Sequence, residues 1–181
     1  MWGGAGPNSV VLNDGAAYDP AADAWTTIPT DGAPSPRILS QQLWTGKELL
    51  VWGGKGKVGQ AFQDLDDGYS YNPETKTWAR LPPFSQVTAL YKYEAVWTGA
   101  GMIVAGEKYE NGNFLPALVV GQYDPFTGKW TDLPTKDAPT ARTAFAMVWA
   151  GNGKEGGTLI IWGGEGSRGN ALNDGYTLTL P

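Results

Sequence analysis

The chain has 181 residues, 41% of them hydrophobic, and a formal net charge of −5, with an isoelectric point near 4.6. That balance argues against nucleic acid as a partner, because a phosphate-tracking surface draws on clustered Lys and Arg. Cysteine and histidine are both absent, which removes disulfides, thiolate nucleophiles, the Ser-His-Asp triad and the transition-metal sites built on those ligands.

The 26 glycines and 13 prolines, set among nine tryptophans and eight tyrosines, suit short strands joined by many turns rather than helices. No stretch approaches the roughly 20 apolar residues of a membrane span. Residues 1–14 lack the basic start and apolar centre of a signal peptide. Neither a membrane partner nor a cellular address is therefore expected from the residues.

In chain order, the first markers are Trp2-Gly3-Gly4, Asp14-Gly15 and Tyr18-Asp19-Pro20, followed by Trp25. The next stretch predicts four strands, over 38–44, 48–52, 68–71 and 77–80, each short, rich in β-branched or aromatic residues and bounded by Gly, Pro, Asn or Asp. Thr45-Gly46-Lys47 reads as a tight hairpin between the first two, and 72–76, opening Asn72-Pro73, as a proline-initiated turn between the last two.

The same markers then recur. Trp44, Trp97 and Trp149 each precede a Thr-Gly or Ala-Gly pair, spaced by 53 and 52 positions. Trp-Gly-Gly returns at Trp52 and Trp162, while the third copy reads Ala105-Gly106-Glu107. Asp-Gly returns at Asp67-Gly68 and Asp174-Gly175, with Val119-Val120 in the third copy. Tyr71-Asn72-Pro73 leads to Trp78 and Tyr123-Asp124-Pro125 to Trp130, always seven positions from Tyr to Trp. A unit of about 50 residues with four antiparallel strands is a propeller blade, which cannot bury both faces alone and stacks on its neighbours. The blade units are expected near 1–35 (partial), 36–86, 87–138 and 139–181 (partial), one propeller region of about 3.5 blades.

These residues resemble the kelch repeat, and 44–54 is similar to the variety common in bacterial, often secreted, multi-repeat proteins. The resemblance implies an all-β fold of kelch-type β-propeller blades of four antiparallel strands, and it favours an extracellular or periplasmic setting. It does not specify an activity, since one propeller scaffold hosts many. The family pattern has Arg-x-x-His at the first strand. Here Arg37 and Arg142 keep the Arg, Ser40 and Phe145 replace the His, and the third repeat has Leu90 and Tyr93. Galactose-oxidase-like propellers need copper ligands that this chain lacks.

Residues 2–15 align without a gap onto 162–175, including Leu12-Asn13-Asp14-Gly15 on Leu172-Asn173-Asp174-Gly175. Two readings of the partial end units stand open: a piece of a longer propeller, or a homodimer pairing head to tail into a ring of about six blades.

Tryptophans at fixed repeat positions are expected to pack between blades rather than stack sugars. The Gly-Gly pairs lack the frame of a phosphate loop and mark a bulge or close approach. Asp14, Asp67 and Asp174 are expected to cap turns by accepting backbone N–H groups. Asp64, Asp66 and Asp67 lack the glycine and distal Glu of a calcium loop. No cofactor or metal is expected.

The candidate ligand-binding residues are those that break the repeat on the loops 55–66, 107–118 and 165–172: Lys57, Phe62, Tyr109, Asn113, Phe114 and Arg168. Arg37 and Arg142 join them as paired cations able to hold a carboxylate in bidentate fashion, with a structural bond to carbonyls or carboxylates as the alternative. The expected function is a binding or scaffold module for a protein or glycan partner, with no catalytic residue assigned. The alternative is an enzyme acting on an acidic sugar, as in the sialic-acid mutarotases that resemble kelch propellers, with Arg37 or Arg142 on the carboxylate.

Overall fold

A computed structural model describes residues 1–58, 61–84, 90–110, 113–134, 136–151 and 156–181. Among these the only helical element is a single turn at Pro7–Ser9, and the rest is strand and turn. The chain divides into two compact units, Met1–Pro83 and Phe84–Pro181.

In the first unit β1 (Ala16–Asp19) and β2 (Ala24–Thr27) form a hairpin, with Trp2 bridged to Gly15 beside it. A four-stranded antiparallel sheet follows, in the order β3 (Gln41–Trp44), β4 (Leu49–Trp52), β7 (Gly68–Asn72), β8 (Thr77–Arg80). It matches the four predicted strands to within one residue at each end, except that the first begins at Gln41. Leu39 has a positive φ of 57°, which breaks the extended run, and Ile38 instead exchanges both backbone hydrogen bonds with Lys55. The 55–66 loop is itself a hairpin, β5 (Lys55–Val58) with β6 (Ala61–Asp64).

The turns follow from their sequences. Thr45 Oγ1 accepts from the N–H groups of Lys47 and Glu48, and Gly46 supplies the φ of 94° that the hairpin needs. Asn72 Oδ1 accepts from the Glu74 and Thr75 N–H groups, and Asp19 and Asp124 do the same two and three residues ahead. The Tyr-(Asp/Asn)-Pro motif is thus an Asx turn. Thr127 also donates its hydroxyl to Asp124, which holds that carboxyl below its ordinary value.

The first unit's core is Trp2, Ile28, Val51 and Tyr71, with Trp78 packed against them. The Trp78 ring lies 4.6 Å from Trp2 and 5.0 Å from Tyr71, and its Nε1–H donates to the Pro29 carbonyl at 2.8 Å.

The second unit opens with β9 (Leu90–Trp97), β10 (Met102–Glu110), β11 (Asn113–Phe114), β12 (Val119–Asp124) and β13 (Lys129–Asp132). β10 lies between β9 and β12, β13 completes the far edge, and β11 folds back on the end of β10. β14 (Arg142–Thr143), β15 (Ala146–Gly151), β16 (Gly157–Trp162), β17 (Glu165–Gly166) and β18 (Gly175–Leu180) follow. They form the sheet β15-β16-β18 and the pair β14-β17. Ile103, Leu118, Leu133, Phe145, Leu159 and Ile161 lead the core, each worth about 1.5–3 kcal/mol on burial. Trp130 stacks on Phe84 at 4.5 Å.

The tryptophan expectation holds unevenly. Trp2 and Trp52 are buried, but Trp25, Trp44 and Trp162 are 60%, 55% and 59% exposed. Each Trp of a Trp-Gly-Gly motif stands opposite the glycine of an Asp-Gly motif: Trp2 with Gly15, Trp52 with Gly68, Trp162 with Gly175. The third repeat pairs Ala105 with Val120.

Candidate functional site

Arg37 and Arg142 lie inside the fold rather than at a ligand surface, both with fully buried side chains. Arg37 donates through Nη1 to the Gly53 carbonyl and to Asp67 Oδ1, both at 2.9 Å, and through Nε to the Ser35 carbonyl at 3.1 Å. Arg142 repeats the pattern on Gly163 at 3.1 Å, on Asp174 at 2.7 and 3.2 Å and on Thr140 at 3.1 Å. Each guanidinium also sits over a tyrosine, Tyr69 at 5.7 Å and Tyr176 at 5.0 Å. These arginines are clasps that tie the segment leading into each sheet's first strand to the residues just after its second strand and just before its third.

Asp67 and Asp174 therefore serve chiefly as guanidinium acceptors, correcting the turn-cap expectation. Arg142 is also the main reason that the Asp174 carboxyl is held below its ordinary value. Asp64 pairs with Lys55 at 3.4 Å, and the described residues contain no cluster of three or more metal-ligating side chains.

In the second unit a cleft of about 730 Å³ opens between the segments 107–118 and 165–172. Its floor is strand-like: Leu118 N–H donates to Pro139, Ala141 N–H to Pro116, and Arg142-Thr143 pair with Gly166-Glu165. The far rim is a tight turn in which Gly166 N–H donates to Asn170 and Gly169 N–H to Gly166. Gly169 has a φ of 74° there, and Arg168 stands exposed beside it. The near rim is the β10-β11 hairpin, where Tyr109 is the register partner of Phe114.

The wall chemistry is mixed. Phe114 presents a ring that is 48% exposed. Glu107 and Thr143, both 7% exposed, bring polar groups from below, and Glu165, Arg168 and Asn170 add a carboxylate, a guanidinium and an amide. A concave site with an aromatic face and several convergent polar groups is the common form of a small-ligand site.

Of the sequence candidates, Phe114 and Arg168 meet in this cleft. Asn113 is exposed on β11 next to Phe114 but does not line it. Lys57 and Phe62 face each other across the β5-β6 hairpin of the first unit, both exposed. Glu107, Glu165 and Asn170 are cleft residues absent from the candidates. Glu107 carried a signal: it occupies the position of Gly4, Gly54 and Gly164 in the other repeats. Gly54 has a φ of 97° there, and a Cβ on it would lie 2.6 Å from the Ile38 carbonyl oxygen. β10 instead runs straight through Gly106 and Glu107, with a register shift at that point, so a side chain fits.

The sheets and their connections define an all-β protein of propeller-type blades. The solved structure of YjhT matches it with a TM-score of 0.63 at 19% identity, over 91% of this chain and 55% of the other. An N-(sulfonatooxy)prop-2-enimidothioate sulfolyase from Thlaspi arvense is 25% identical over 180 residues, covering 85% of this chain and 48% of the relative. The chain thus spans about half the length of the proteins it matches. No protein-family model matches it.

Proposed function

We propose that the chain is a kelch-type binding module whose cleft takes a glycan. The observation that carries this reading is the meeting of Phe114 and Arg168, from two separate repeat-breaking loops, in one concave site with Glu107, Glu165 and Asn170. A half-exposed ring offers a face for the C–H side of a pyranose. Carboxylates accept hydroxyl protons, and the amide both donates and accepts. A concave pocket suits a small polar ligand better than it suits the broad contact of a folded protein partner.

The test is a glycan screen followed by calorimetry on the best neutral and acidic hits. Phe114→Ala is expected to weaken every hit at least tenfold, the equivalent of about 1.4 kcal/mol. Affinities untouched by that change would remove the reading.

A second reading, an enzyme acting on an acidic sugar, draws on Arg168. Arg37 and Arg142 are already committed to Asp67 and Asp174, so Arg168 is the arginine with access to a ligand carboxylate in the cleft. Adding the protein to sialic acid and following anomer exchange by NMR tests it; an unchanged rate counts against catalysis of that step.

A further inference from the structure

The far rim of the cleft has a second copy in the chain, and at its base the two copies share a backbone while differing in chemistry. Residues 164–172 align without a gap on residues 4–12. Gly166 N–H donates to the Asn170 carbonyl at 2.9 Å, as Gly6 N–H does to Val10 at 2.8 Å. Leu172 N–H donates to Gly164 at 2.8 Å, as Leu12 N–H does to Gly4 at 2.9 Å. Glu165 bridges Ala171 as Ala5 bridges Val11. Over that shared frame the first unit carries Ala5, Asn8 and Val10, and the second carries Glu165, Arg168 and Asn170. The turn closes without a charged residue in one unit, so the carboxylate and the guanidinium of the other are not there to form it.

These two charges stand near one another without pairing. Glu165 and Arg168 are both exposed and both line the cleft. Among the described residues neither takes part in an ion pair. Yet Glu165 Oε1 lies 3.4 Å from where a Cβ on Gly169 would stand, and Gly169 follows Arg168 directly.

An exposed pair gains little by closing, because ordering two long side chains offsets most of the attraction. A ligand that brings the opposite charge to each of them gains a charge-assisted hydrogen bond at both. A purely anionic ligand meets Glu165 as a like charge, and a purely cationic one meets Arg168. Such juxtapositions select against both. A ligand with one charge of each sign meets neither penalty.

We propose that the cleft selects a zwitterionic sugar, a pyranose that carries a free ammonium and a carboxylate. This rests on the glycan reading of the same cleft and narrows it. The Glu165 carboxylate accepts from the ammonium, and the Arg168 guanidinium donates to the sugar carboxylate. Phe114, from the other loop, takes the C–H face of the ring, and its π face also tolerates a nearby cation.

The probe is muramic acid, a glucosamine whose ring also bears a lactyl carboxylate, titrated by calorimetry into the full 181-residue protein. N-acetylmuramic acid lacks the ammonium, glucosamine lacks the carboxylate and N-acetylglucosamine lacks both. Muramic acid is expected to bind at least about tenfold tighter than each of the three. Glu165→Gln is expected to bring muramic and N-acetylmuramic acid to within about threefold of each other, and Arg168→Gln to do the same for muramic acid and glucosamine. Each variant thus abolishes one preference and keeps the other, a crossed pattern that general damage to the turn does not give.

Equal affinity for muramic and N-acetylmuramic acid, with Phe114→Ala still weakening both, overturns the proposal and leaves the glycan reading standing. Loss of both preferences in either variant overturns it in favour of a structural role for the two charges. Binding of none of the four sugars overturns it as well, and a glycan screen without hits then removes the broader reading too.

Discussion

Trp52 lies directly against Gly68 across the β4-β7 pair, so close that a Cβ on Gly68 would collide with the ring carbons Cε3 and Cζ3. The glycine is there for the tryptophan's sake. The same holds for Gly15, whose Cβ would lie 2.7 Å from Trp2, and the third repeat exchanges both members at once, for Ala105 and Val120.

Gly68→Val should therefore destabilise the first unit by about 1–3 kcal/mol, the usual cost of overpacking. Trp52→Ala with Gly68→Val should cost less than the two single costs added, because the pair reproduces the third repeat. Urea denaturation of the four proteins in a double-mutant cycle gives the coupling, and strict additivity would contradict the contact.

The Arg37–Asp67 clasp makes a parallel prediction. Removing Asp67 leaves a fully buried guanidinium without its carboxylate, so Asp67→Ala should cost about 3 kcal/mol. The third repeat has Leu90 and Val119 at these two positions. Arg37→Leu combined with Asp67→Val should recover part of that loss, because a buried ion pair is replaceable by apolar packing. A double variant no more stable than Asp67→Ala in urea would count against this.

Acidification should weaken the second clasp. The Asp174 carboxyl is held below its ordinary value first by the Arg142 hydrogen bond. A carboxyl depressed by folding adds stability above its unfolded value, near 3.9, and loses it as pH falls through the lower folded value. The urea midpoint should then decline below about pH 4, and Asp174→Asn should flatten that decline. An identical acid slope in the variant would show that the clasp does not titrate with folding.

At the cleft, Arg168→Ala should weaken acidic glycans more than neutral ones, and the difference should shrink as salt rises, since an exposed guanidinium is screened within about 8–10 Å at ordinary ionic strength. Calorimetry of one acidic and one neutral hit at two salt concentrations measures it.

The blades were readable in the sequence because their markers are imposed locally. The seven-residue step from Tyr to Trp is one Asx turn between two paired strands, seen in Asn72 with Tyr71 opposite Trp78. The clasps were readable only as the alternative for the two arginines, a structural bond to carbonyls or carboxylates, and their partners were not, because Arg37 and Asp67 are 30 residues apart, and Arg142 and Asp174 are 32. Two arginines at equivalent repeat positions fit a ligand carboxylate as well as an internal one. The cleft was half readable. Phe114 and Arg168 stood out as departures on variable loops, whereas Glu107 looked like the lapse of a glycine motif until β10 was seen to run through it.

The unbroken run of β10 through this position divides labour among the repeats. Where Gly53 and Gly54 turn the chain with positive φ, the position is wholly occupied by keeping the backbone in shape. In the third repeat Gly106 and Glu107 stay extended, and a residue released from that duty brings a carboxylate to the cleft wall. A change at Glu107 alters the wall of the cleft itself, while the same change at Gly54 or Gly164, with φ of 97° and 99°, would strain the backbone of the fold.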